Sequence, residues 1–61
     1  MDQKTKAIEE IRFHIKRVHK AQNEDVKDRK IFMVVGMLSL AKSLEIITTE
    51  EYEALYKELY N

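Results

Sequence analysis

Residues 31–41 read Ile-Phe-Met-Val-Val-Gly-Met-Leu-Ser-Leu-Ala, and the reading of this stretch decides the fold. Only Gly36 and Ser39 interrupt an otherwise apolar run. Two conformations compete for it. The β-branched residues of IFMVV favour a strand, but a strand needs a partner and no second strand-like run lies nearby. Charged segments of helical spacing lead into the run from both sides, so it reads as the middle of a helix over about residues 25–44. At about 100° per residue its side chains divide into three faces. Ile31, Val34, Leu38 and Ala41 form one; Val26, Met33, Met37, Leu40 and Leu44 form the second. The third is narrow and mostly small: Phe32, Gly36, Ser39 and Ser43. A helix that is apolar all round has to be covered all round.

Upstream, Ile8, Ile11, Ile15 and Val18 recur at spacings of three, four and three, which places them on one stripe of a helix over about residues 4–22. Beyond His19 the stripe fails. Continuing its phase would bring Gln22, Asp25 and Arg29 to the seam, so the chain turns near residues 22–25, and Asn23 or Asp25 caps the next helix. Downstream, Thr48-Thr49-Glu50-Glu51 has the spacing of a capping box, with Thr48 at the N-cap and Glu51 at the third helical position. Ile47 and Tyr52 are placed for the hydrophobic staple that accompanies it. Tyr52, Leu55, Tyr56, Leu59 and Tyr60 then make an apolar stripe running to the end of the chain.

The expected fold is therefore all-α: a three-helix domain built from a helical hairpin and a shorter C-terminal helix that folds back along it. Residues 1–61 form one small domain. Such a short chain buries only about 60% of its unfolded surface, and small domains recruit disulfides, metals or partner chains to compensate. There is no cysteine, which excludes disulfides and thiolate zinc sites. A homodimer built on the central helix is the expected remedy. The Phe32, Gly36, Ser39 and Ser43 face is the expected dimer interface, because its small residues admit a second backbone. The methionine face is expected to pack inside the chain, where Met33 and Met37 adapt to irregular gaps.

The remaining chemistry is sparse. Ser39 and Ser43 have no histidine at helical spacing, so neither is an activated nucleophile, and three short helices offer little shelter for an acid–base pair. An enzyme is not expected. His14 and His19 point about 140° apart on a helix and cannot share an ion. Glu10 and His14 supply two ligands at most, so no metal site is expected. The lone glycine lies mid-helix, which excludes a phosphate-binding glycine loop, and no cofactor is expected. No uncharged run is long enough to span a bilayer. MDQKTKAIEE carries no apolar segment, so a cytoplasmic location is expected.

Charge is balanced overall, with 11 basic and 11 acidic side chains, but unevenly spread. Residues 1–22 carry a surplus of three positive charges and residues 48–61 a surplus of three negative ones. Arg12, Lys16 and Lys20 line up one turn apart, with Arg17 beside them, and such a row can track phosphates. A helix-turn-helix reading of the last two helices fails on electrostatics: the recognition helix would present Glu50, Glu51 and Glu53 to the groove. Phe13 lies among these charged residues, opposite the isoleucine stripe, where an aromatic commonly anchors a contact. The sequence therefore leads to a non-enzymatic protein-binding module, a small dimeric adaptor or inhibitor with Phe13, Lys16, Arg17 and Lys20 as its contact region. The alternatives are a nucleic-acid-binding regulator using the basic face of the first helix, and a structural subunit of a larger assembly.

Overall fold

The computed structural model describes residues 2–61. Three helices account for most of them: α1 over Gln3–Lys20, α2 over Glu24–Ser43 and α3 over Thr49–Tyr60. No strand occurs among the described residues, IFMVV included.

Each helix starts where a side chain satisfies the free backbone donors of its first turn. Asp2 accepts from the Thr5 amide at 2.7 Å. Asn23 accepts from the amides of Asp25 and Val26 at 2.8 and 3.4 Å, so Asn23, not Asp25, is the cap of α2. The box at α3 is closed in both directions: Thr48 Oγ1 accepts from the Glu51 amide at 3.1 Å, and Glu51 Oε1 accepts from the Thr48 amide at 2.8 Å. Ile47 is buried, and Tyr52 packs against the same core.

The connection between α2 and α3 carries a feature that the sequence does not advertise. The Ile46 amide donates to the Ala41 carbonyl at 2.9 Å, and the Glu45 amide to Lys42 at 3.0 Å. This is the paired bonding of a Schellman motif, and it requires a left-handed residue just past the helix end. That residue is Glu45, with φ of 59°, where glycine is ordinarily found. Glu45→Gly is therefore expected to stabilise the fold by about 0.5–1 kcal/mol, the relief of the Cβ clash exceeding the added freedom of the unfolded chain. Urea denaturation checks it; an unchanged or lower midpoint would show that Glu45 is not strained.

The short turn at residues 21–23 lays α2 antiparallel to α1, and the second connection returns α3 alongside α1. Lys4 pairs with Glu51 and Arg12 with Glu58, each at 3.1 Å, so α1 and α3 run in the same direction. The core between them takes Ile11, Ile15 and Val18 from α1, Val34, Leu38 and Ala41 from α2, Ile47 from the connection, and Leu55 and Leu59 from α3. Ile8 and Ile31 complete their stripes at its edge, partly buried.

One expectation is overturned. The methionine face does not pack inside: Met33 is 46% exposed, Leu40 and Leu44 are each 61% exposed, Val26 is also open to solvent, and only Met37 is half-buried. The reason is geometric. Helix α1 flanks α2 on the Met37–Ala41 side, and α3 flanks it on the Lys42 side, where the ammonium of Lys42 lies 4.9 Å from the Tyr52 ring centroid. Two helices settled on either side of the Val34–Leu38 ridge leave the opposite side of α2 with no neighbour among the described residues.

Candidate functional site: the open faces of α1 and α2

The open side of α2 is an arc of about 140° at helical spacing. Across it run Phe32, Gly36, Leu40, Met33 and Leu44, all exposed, with Phe32 the most exposed large apolar residue at 81%. Arg29 is the one charged residue near its middle. Four large apolar side chains on one continuous helix face exceed the scatter of single exposed residues found on any soluble protein. No helix among the described residues is long and apolar enough to cross a membrane, α2 included.

Gly36 sits at the centre of the arc. A Cβ placed there would meet nothing within 4 Å, so the packing of this chain gives no reason for glycine at a position where it costs about 1 kcal/mol relative to alanine. Ser39 and Ser43 lie at the border of the arc, where they share a shallow hollow with Lys42 and Tyr52 of the α3 side. At the opposite border, Met37, Leu40 and Leu44 form an apolar cleft with Ala7 and Glu10 of α1 and Ile46 of the connection. Of the four residues read from the sequence as an interface, Phe32 and Gly36 lie within the apolar arc, and Ser39 and Ser43 edge it. Met33, Leu40 and Leu44 belong to the same surface. Sequence reasoning assigned them to the interior because it did not establish which side of α2 the neighbouring helices take.

The outer face of α1 is a different surface. Phe13, Lys16, Arg17 and Lys20 are all exposed there. Phe13 is 53% exposed, with the Arg17 guanidinium 5.8 Å from its ring centroid and the His14 ring edge-on at 5.3 Å. An arginine stacked on an aromatic pre-organises both groups for a contact. Arg12 is withdrawn from the basic row: its Nε and Nη2 both donate to Glu58 Oε2, at 3.3 and 3.1 Å. Such an exposed pair contributes only about 0.2–1 kcal/mol, but it turns the guanidinium toward α3.

The histidines are accounted for locally. His14 Nε2 lies 3.5 Å from Glu10 Oε1. His19 stays exposed and reaches across to α3, donating from Nε2 to the Leu59 carbonyl at 3.2 Å, one of the carbonyls left free at the helix end. Among the described residues no three His, Asp or Glu side chains gather as metal ligands. On α3, Tyr52, Tyr56 and Tyr60 stack in succession with centroids 5.7 and 5.0 Å apart.

The site that emerges is a pair of helix surfaces, one apolar on α2 and one aromatic and basic on α1. No protein family, curated protein or solved structure matches the chain, so the functional reading rests on these surfaces alone.

Proposed function

We propose that the chain is a non-enzymatic protein-binding module, a small dimeric adaptor or inhibitor that works by covering a partner's surface with its own helix faces. The observation that carries this reading is where the large apolar side chains lie. Phe32, Met33, Leu40 and Leu44 are exposed together on α2, and Phe13 is exposed on α1 beside Arg17. Exposed apolar patches rimmed by polar residues mark interaction sites, and aromatic and arginine side chains supply most of the energy at them. In this reading the α2 arc joins subunits, and Phe13, Lys16, Arg17 and Lys20 meet the heterologous partner.

The test is affinity capture from the native host, with both mass spectrometry and nucleic-acid sequencing of the eluate. A protein recovered at fixed stoichiometry, and lost when the bait carries Phe13→Ala with Arg17→Glu, supports the reading. Enriched DNA or RNA without such a protein overturns it in favour of a nucleic-acid-binding regulator.

A direct measurement separates the same alternatives. The chain is neutral overall, the first turn of α3 carries Glu50 and Glu51, and Arg12 is held by Glu58. Generic duplex DNA is therefore expected to bind weakly or not at all near physiological salt. Submicromolar binding with a steep salt dependence, removed by Lys16→Ala with Lys20→Ala, would show the basic face tracking phosphates.

A further inference from the structure

We infer that the open arc of α2 is covered by the same arc of a second copy, with the two α2 helices crossing antiparallel about Gly36. The inference rests on the reading of that arc as a subunit contact and adds its geometry. Three observations carry it.

The first is area. The chain exposes 4735 Å², whereas a compact monomer of its mass exposes about 4,200 Å². The surplus of roughly 500 Å² is about two thirds of the ~800 Å² that each partner buries in a standard interface, the size of a small contact. A partner as small as the chain itself is enough to remove it.

The second is the pattern of the arc, which is self-complementary in one orientation. A two-fold axis through Gly36 and perpendicular to α2 brings residue 36 − k of one copy level with residue 36 + k of the other. Phe32 then meets Leu40 of the second copy, and Leu40 meets its Phe32. Arg29 falls level with Ser43 of the second copy. The same axis pairs each flank of the arc with its own kind. On one flank Met33, Met37 and Leu44 meet the same apolar set. On the other, Asp28 of one copy comes within about one helical turn of Lys42 of the other. A parallel crossing about the same centre would set Arg29 against its own copy and lay the apolar flank on the charged one.

The third is Gly36. Among the described residues nothing comes within 4 Å of a Cβ placed there, and in the crossing it is the point of closest approach, where the absence of a side chain lets two backbones near one another.

The cysteine-free chain makes the register directly measurable. Chains carrying Phe32→Cys and chains carrying Leu40→Cys are mixed and mildly oxidised. The antiparallel crossing predicts a mixed disulfide between them. It predicts none from either variant alone, since the like positions then lie about 12 Å apart along the axis, beyond disulfide reach. Sedimentation of Leu40→Asp is expected to show a folded monomer, by circular dichroism as helical as the unmodified chain. Dimer affinity should fall on the order of a hundredfold, because the two-fold axis buries the carboxylate twice. Gly36→Leu should act in the same direction, and the open space beside it lets the single chain keep its fold.

An unmodified chain that sediments as a monomer at tens of micromolar overturns the inference. So do disulfides formed by either variant alone, or a dimer indifferent to Leu40→Asp. These results remove the dimeric part of the proposed function but leave its partner contact, which fails separately if capture recovers no protein that depends on Phe13 and Arg17.

Discussion

Leu38→Ala is expected to cost about 2–5 kcal/mol, the range for removing a large side chain from a packed core without collapse of the space it leaves. Leu38 is fully buried at the centre of α2, among core residues contributed by all three helices. A 61-residue chain has a total stability of only about 3–9 kcal/mol, so the substitution removes a large share of it and leaves the domain partly or wholly unfolded at 37 °C. Leu40 is the internal control: it has the same chemistry, two residues along the same helix, and is 61% exposed. Leu40→Ala is expected to leave the folding of the single chain within about 0.5 kcal/mol of the unmodified protein. Urea denaturation monitored by circular dichroism, at a protein concentration low enough to separate subunits, measures both. Equal losses at the two positions would show that the arc is not open.

The second large effect is expected at the start of α3. Thr48→Ala should cost about 0.5–2 kcal/mol, because the Glu51 amide loses its acceptor at the first turn of a short helix. The cost propagates. Helix α3 has only 12 residues and is too short to hold itself together, so weakening its first turn also loosens Leu55 and Leu59 from the core. Glu51 gives the same box a pH dependence. The hydrogen bond from the Thr48 amide, with that from Lys4 after it, holds the Glu51 carboxyl below the ordinary carboxylate range. A carboxyl whose folded pKa lies below its unfolded one adds stability above the unfolded value, and that stability is lost as pH falls through the folded value. The difference in midpoint between the unmodified protein and Glu51→Ala should therefore be full at neutral pH and shrink below about pH 4. A difference that stays constant into acid would mean that the carboxylate's charge contributes nothing there. Asp2, lowered mainly by its hydrogen bond from the Thr5 amide, loosens the start of α1 in the same window.

How far the sequence reaches can be judged from α2. Its position in the chain, its helical state and its buried ridge of Val34, Leu38 and Ala41 follow from local information: spacing, flanking charge and the absence of a partner strand. The cap at Thr48 follows too, because a capping box is satisfied by four consecutive residues whatever surrounds them. So does the stripe of α1, since Ile11, Ile15 and Val18 can share a core only on one side of a helix. These are properties of the chain taken a few turns at a time.

The open arc is not such a property. With Met33, Leu40 and Leu44 on one apolar face and Phe32 and Gly36 on another, the helical period is compatible with either face turning inward, and the sequence alone does not say which. Tertiary packing decides it. The turn after Lys20 and the left-handed Glu45 set where α1 and α3 rejoin α2, and they settle on both sides of Val34 and Leu38. Arg12 meeting Glu58, His19 reaching the Leu59 carbonyl and Lys42 lying over the Tyr52 ring are decided in the same way, each joining residues on two different helices. The sequence by itself determined that there are three helices and roughly where each lies, that the last one is capped at Thr48, and that α2 is apolar on every side. Only the tertiary structure decided which of those sides stays open, because two helices can cover no more than part of the circumference of a third.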